Sequence, residues 1–194
     1  MQDIAEFLKY EDVYGVLMKY SKCQGDTHEK KVILYAGMIA DSLDEVFTFS
    51  SEERNLLLYS AILHDIGRYI GKKSHHKHTS YIINNDETFN AVPSNLRAML
   101  ALVAAGHRKA LGKALSDYNL EEKEVIQRLA SVLRLSDALD HTHCAEVTIN
   151  NIQICRENLI IYIKGRDSVK ITNKAMEKAD LFKESFNMDV KIIC

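Results

Sequence analysis

Four residues of this 194-residue chain have side chains suited to a divalent cation and stand where an apolar helix does not ordinarily carry them: His28, His64, Asp65 and Asp137. His64-Asp65 closes the apolar run Tyr59-Ser60-Ala61-Ile62-Leu63, and Asp137 interrupts Val132-Leu133-Arg134-Leu135-Ser136 just before Ala138-Leu139. A carboxylate buried at such a position is costly unless it is paired or coordinated. Consecutive helical side chains diverge by about 100°, so His64 and Asp65 reach one ion only if it lies off the helix end and other helices complete its shell. Imidazole combined with carboxylate suits Mn²⁺, Fe²⁺, Mg²⁺ or Co²⁺, and no CxxC pair speaks for structural zinc. Singly, each residue is ordinarily a surface group or a cap. The weight lies in the set.

The elements that must position this set are helices. One proline and eight glycines in the whole chain leave few breakers, which favours a mainly α fold. Asp26-Thr27-His28-Glu29 reads as a capped start, followed by Val32, Tyr35, Ala36, Ile39 and Leu43 at helical spacing. Ser50-Ser51-Glu52-Glu53 repeats the signal ahead of Leu56 to Ile66, with Gly67 placed as the stop. A short helix is expected over His78 to Asn84, another from Pro93 towards His107, and a long one after Asn119-Leu120-Glu121-Glu122 that reaches Ala138.

After about residue 144 the texture changes. Glu146 to Ile154 alternates apolar with polar residues, Arg156-Glu157-Asn158 looks like a turn, and Leu159 to Ile163 is β-branched, which together predict a hairpin. Asp167 is expected to cap one helix with Ile171, Ala175, Ala179, Phe182 and Phe186 on a single face. Val190 to Ile193 would form a closing strand. The expected organisation is a helical body over 1–144 with a small α+β extension over 145–194 packed on it.

Composition excludes several classes. Hydrophobic residues at 46% and charged residues at 27% are those of a globular chain, and no apolar run is long enough to span a bilayer. A formal net charge of -2 gives no global positive field for nucleic acid. The N-terminus has acids at Asp3, Glu6, Glu11 and Asp12 and no secretory pattern, so the expected location is cytoplasmic. Cys23, Cys144, Cys155 and Cys194 are widely spaced and are expected to be reduced, small buried residues. Lys72, Lys73, Lys77, Arg108 and Lys109 adjoin the proposed ligands in sequence and would favour a phosphorylated ligand. His141 and His143 are expected on a helix's last turn, in a structural role.

The order H, then HD, then D resembles the HD superfamily of metal-dependent phosphohydrolases. More narrowly, LHDIGRYIGKKSHHKHTSYII, GHRKAL and VLRLSDALDHTH resemble the C-terminal helical region of the exopolyphosphatase and guanosine pentaphosphate phosphatase family, a likeness that runs over about residues 10 to 193. The resemblance implies an HD-type helical bundle. By analogy with two-metal HD enzymes it also implies a second ion held by His75 and His107, with Asp65 as bridge. His75 is preferred because Thr79, four residues on, fits the superfamily pattern. His76 and His78 remain open as ligands or, with Lys77, Arg108 and Lys109, as phosphate contacts.

In full-length members the hydrolysis of polyphosphate or pentaphosphate belongs to two N-terminal actin-like domains. This chain starts at Met1 without them, so it is not expected to degrade long polyphosphate processively. The expected function is metal-dependent hydrolysis of a small phosphorylated metabolite or nucleotide, with one or two divalent ions and with Asp65 as the catalytic carboxylate. The alternative is a non-catalytic module that binds a phosphorylated ligand or forms a homodimer.

Overall fold

The computed structural model describes residues 1–21, 27–108, 111–142 and 147–194. The described residues form helices α1 (Tyr10–Tyr20), α2 (Thr27–Leu43), α3 (Ser51–Leu63), α4 (His75–Asn85), α5 (Ser94–Gly106), α6 (Leu120–Leu139), α7 (Ser168–Met176) and α8 (Asp180–Phe186), with strands β1 (Thr148–Cys155), β2 (Asn158–Lys164) and β3 (Asp189–Ile193). The architecture is mainly α with a small α+β C-terminal extension. No described helix is long and apolar enough to cross a membrane.

Two of the expected starts are capping boxes. Ser50 Oγ accepts from Glu53 N at 3.2 Å while Glu53 accepts from Ser50 N at 2.9 Å, so two otherwise orphaned donors are satisfied reciprocally. Asn119 and Glu122 do the same ahead of α6. The expected cap Asp26 lies outside the described residues, but α2 begins at Thr27 and buries Val32, Tyr35, Ala36, Ile39 and Leu43 as its spacing predicts.

α6 is the central element. It is buried almost continuously from Leu129 to Leu139 and packs against α2, α3 and α5 as well as α7 and α8. β1 and β2 pair antiparallel, with a register shift between Ile149 and Asn151. β3 adds parallel to β2, and α7 and α8 connect them. Leu159, Ile161 and Ile163 on one face of β2 are buried, and Phe182 is fully enclosed. Phe186, half-buried, meets Phe47 and Phe49 edge-on. Through these contacts the extension shares the core of the helical body.

Several expectations need correction. α3 ends at Leu63, and Gly67 does not stop it. Gly67 lies in a following 3-10 turn, and a Cβ there would come within 2.1 Å of His75 O and 2.3 Å of Thr79 N. This glycine permits close approach of α4 and is not a terminator. α4 starts three residues earlier than expected, at His75. The single helix expected after Asp167 is two, because i→i−3 bonds from Lys178 N to Ala175 O and from Ala179 N to Met176 O tighten and end α7. No glycine or proline marks that break. Cys155 and Cys194 are free but exposed, whereas Cys23 and Cys144 lie outside the described residues.

Candidate metal centre

Five helix ends converge on one place. His28 lies in the first turn of α2, His64 caps the C-terminus of α3, and His75 is the first residue of α4. His107 caps the C-terminus of α5, and Asp137 lies in the last turn of α6. Asp65 follows His64 at φ −106°, ψ 1°, a bridge-region backbone that turns it off the helix axis. The last carbonyls of a helix have no intrahelical donor. Here two imidazole rings serve them, for His64 Nδ1 donates to Ala61 O at 2.8 Å and His107 Nδ1 to Ala104 O at 2.6 Å. Each bond fixes a tautomer and leaves Nε2 as a lone pair facing inward.

The inward atoms form two groups that share Asp65. In the first, Nε2 of His28 and Nε2 of His64 are 3.2 Å apart and each lies 4.0 Å from Asp65 Oδ2. Asp137 Oδ1 completes the group at 3.5 Å from His28 and 3.9 Å from His64. In the second, His75 Nε2 is 2.9 Å from His107 Nε2 and the two lie 3.0 and 3.7 Å from Asp65 Oδ1. Ligand atoms about 2.1 Å from a common ion are separated by roughly 3.0 to 4.2 Å, depending on geometry. The measured separations of the first group fall within that span, and those of the second, 2.9 to 3.7 Å, lie at its short end. Facing imidazole nitrogens ringed by carboxylates repel one another unless a proton or a metal ion lies between them.

The electrostatics agree with this. Burial opposes charge on His28, but its hydrogen bonds with Asp137 and Asp140 and the field of Asp65 push its pKa up to about 9. Without an ion, a proton satisfies the surplus of carboxylates. Burial pushes His107 down to about 3, which keeps it in the neutral form that coordination would require. Burial also works against the charge of Asp65 and Asp137, yet the surrounding histidines and cations hold both carboxyls well below the usual range.

A cleft of about 380 Å³ opens onto the centre, lined by Asp65, His75, His107, Asp137 and His141 together with Arg68, Arg108, Lys174 and Lys178. Arg68 Nε lies 2.5 Å from Asp65 Oδ2 as an ion pair. Lys178, from the turn between α7 and α8, donates to Asp137 Oδ2 at 3.3 Å and to His107 O at 3.2 Å. The extension thus contributes two cations to the cleft. Behind His28, Asp140 Oδ2 lies 2.9 Å from Nδ1, and Asp140 Oδ1 is 3.6 Å from Lys31 Nζ.

The structure therefore brings together His28, His64, Asp65, Asp137, His75, His107 and Arg108. It does not bring in the remaining phosphate candidates that it describes. His76 is buried beside the His75 ring, Lys77 is exposed and His78 half-buried, and none of the three lines the cleft. Each helical residue turns about 100° from the last, so of the triplet only His75 faces Asp65. Lys72 and Lys73 are likewise exposed away from the cleft. Lys109 and His143 lie outside the described residues. His141, expected on the last turn of the helix, stands past the C-cap Asp140, on the cleft wall. Sequence reasoning missed Arg68, Asp140, Lys174 and Lys178. Arg68 and Asp140 each follow a proposed ligand by three residues, a readable helical spacing. Nothing local marks the two lysines.

Comparison with known proteins bears on this centre. Residues 24–185 match the family model Ppx/GppA phosphatase, domain III. The chain is 36% identical over 81 residues to the guanosine-5'-triphosphate,3'-diphosphate pyrophosphatase of Pseudoalteromonas translucida (strain TAC 125), an alignment that covers 42% of this chain and 16% of that protein. The match thus spans less than a fifth of the relative. With a family match over most of its length, one that takes in every histidine and aspartate of the centre, the chain belongs to the Ppx/GppA phosphatase domain III family.

Proposed function

We propose that this chain is an HD-type, metal-dependent phosphohydrolase that acts on a small phosphorylated metabolite or nucleotide, its body spanning 1–144 and its extension 145–194. The observation that carries the reading is the pair of inward imidazole groups split across the two oxygens of Asp65. Four buried histidines aimed at one another and at carboxylates serve no packing purpose that apolar residues would not serve better. His28, His64, Asp65 and Asp137 would hold one ion, and Asp65, His75 and His107 a second. Bound divalent ions supply Lewis acidity and a water that ionises near neutral pH.

The chain's own residues do the rest. Arg68, Arg108, Lys174 and Lys178 give the cleft charge-assisted donors for phosphoryl oxygens. Asp65 holds both histidine groups in register and is the residue on which turnover depends. Metal analysis of the purified protein, followed by a screen of nucleotides, phosphomonoesters and phosphodiesters with Mn²⁺ and Mg²⁺, tests the reading. Guanosine 5'-triphosphate 3'-diphosphate belongs in the screen because the named relative acts on it. The expected result is bound metal and metal-dependent release of phosphate. A metal-loaded protein that binds one of these compounds tightly and turns over none would make the non-catalytic module the better reading.

A further inference from the structure

The two halves of the centre differ in what stands behind their histidines. His28 Nδ1 faces the Asp140 carboxylate at 2.9 Å, His64 Nδ1 the Ala61 carbonyl at 2.8 Å, and His107 Nδ1 the Ala104 carbonyl at 2.6 Å. All three partners are acceptors, so each ring holds a proton on Nδ1 and turns Nε2 towards an ion position. His75 breaks the rule. Its Nδ1 lies 2.9 Å from a terminal nitrogen of Arg108 as well as 3.1 Å from Lys72 O. A guanidinium can only donate. When Nδ1 accepts from Arg108, the ring proton sits on Nε2, where His107 Nε2 at 2.9 Å accepts it.

An imidazole protonated on Nε2 cannot ligate through that atom. We propose that Arg108 latches the second ion position: while it donates to His75 Nδ1 that position stays closed, and a phosphate group entering the cleft opens it by drawing the guanidinium away. The inference rests on the phosphohydrolase reading and adds a regulation to it. On release, the Nε2 proton leaves to solvent and a proton arrives at Nδ1, where Lys72 O accepts it, and the ring nitrogen facing Asp65 is freed. The position held by His28, His64, Asp65 and Asp137 has no arginine behind its histidines, His28 Nδ1 and His64 Nδ1 facing Asp140 and Ala61 O instead. Because Arg108 shares the cleft with Arg68, Lys174 and Lys178, an oxyanion has competing donors that hold it within reach of the released guanidinium. Coupling of this type is reciprocal and typically changes an affinity by roughly 5- to 150-fold.

Two measurements on the full chain test the latch. Long-range ¹H–¹⁵N imidazole spectra of the metal-free protein are expected to show His75 protonated on Nε2, against His64 and His107 protonated on Nδ1, and Arg108→Met is expected to move the His75 proton to Nδ1. In calorimetric titration with Mn²⁺ alone, Arg108→Met should bind the second ion more tightly than wild type by about 5- to 150-fold, with the first ion unchanged. Inorganic phosphate should then tighten the second ion in wild type more than in the variant. Lys174→Met removes a like charge from the same cleft, where its own partner is Glu177, and so measures the purely electrostatic gain. His75 found protonated on Nδ1 in the metal-free protein, or an Arg108→Met gain no larger than that of Lys174→Met, overturns the latch. If no version binds Mn²⁺, the phosphohydrolase reading falls and takes the latch with it.

Discussion

Asp140 touches neither proposed ion position, yet it decides how one proposed ligand presents itself. Its bond to His28 Nδ1 fixes the ring and raises its basicity, and partners of this kind are ordinarily worth 10- to 100-fold in metal affinity. Asp140→Asn is therefore expected to weaken Mn²⁺ binding by roughly 10- to 100-fold at the first position alone, as read by calorimetry. Asp65→Ala should instead lose both ions and all metal-dependent turnover, because its two oxygens serve both groups. At this scale the convergence of His28, His64, Asp65 and Asp137, and that of His75 with His107, was legible from residue types at helix ends. The cations were not. The chain offers lysines beside the histidines in sequence, whereas Lys174 and Lys178 reach the cleft from beyond the hairpin, a placement that only the tertiary fold supplies.

Helix starts were legible because capping boxes are local chemistry, and helix ends were less so. α1 has no strong start signal and runs unbroken through Gly15, while Val13, Val16 and Leu17 bury one face. Its C-terminal end is tied to α4 by Asp86, which accepts from Lys19 Nζ at 2.8 Å, Tyr20 OH at 2.7 Å and Thr88 N at 3.0 Å. Burial works against the Asp86 charge, but these donors hold its carboxyl well below the usual range. A depressed carboxylate contributes stability above its unfolded pKa of about 3.9 and loses it as pH falls through the lower folded value. Urea titrations from pH 7 downwards should therefore show Asp86→Asn less stable than wild type at neutral pH, the gap narrowing below about pH 4. A second prediction at this scale concerns Gly67, where an added Cβ would strike backbone atoms at both His75 and Thr79. Gly67→Ala should cost about 1–3 kcal/mol or more in denaturant stability and should weaken the second ion position more than the first, because His75 moves with α4.

Across the whole molecule, the extension and the helical body depend on one another. Phe182 is fully buried, and Phe186 closes against Phe47 and Phe49. Arg134, buried in α6, donates to Gly106 O at 3.0 Å and reaches Asp180 at 3.4 Å. Lys31 and Tyr35 both donate to Val147 O at the head of β1. Phe182→Ala is expected to cost about 3–5 kcal/mol, measured by chemical denaturation. A chain cut after residue 144 should be insoluble or markedly less stable, since it would expose the α6 face that α7 and α8 cover. A truncated body as soluble and stable as the whole would show the extension to be an accessory. The hairpin, the following helical pattern and the last strand were all readable from residue type and spacing. The split of the helix at Lys178 was not, because it answers to Asp137 and His107 on the body and to no breaker in the sequence.

The Gly67 contact has one more consequence, which concerns size. Thr79 Oγ1 donates to His64 O at 2.8 Å and accepts from Gly67 N at 3.0 Å, so α4 is registered on the end of α3 by a hydroxyl and a missing methyl. The distance between the two histidine groups is thus a property of backbone packing, and the side chains cannot stretch it freely. Magnesium takes oxygen ligands at about 2.0–2.1 Å and calcium at about 2.3–2.6 Å. The longer bonds would have to come from sliding α4 away from α3, which breaks both bonds of the Thr79 hydroxyl. If the two groups hold ions as proposed, the frame selects by ionic radius, and calcium should compete poorly with the smaller divalent ions.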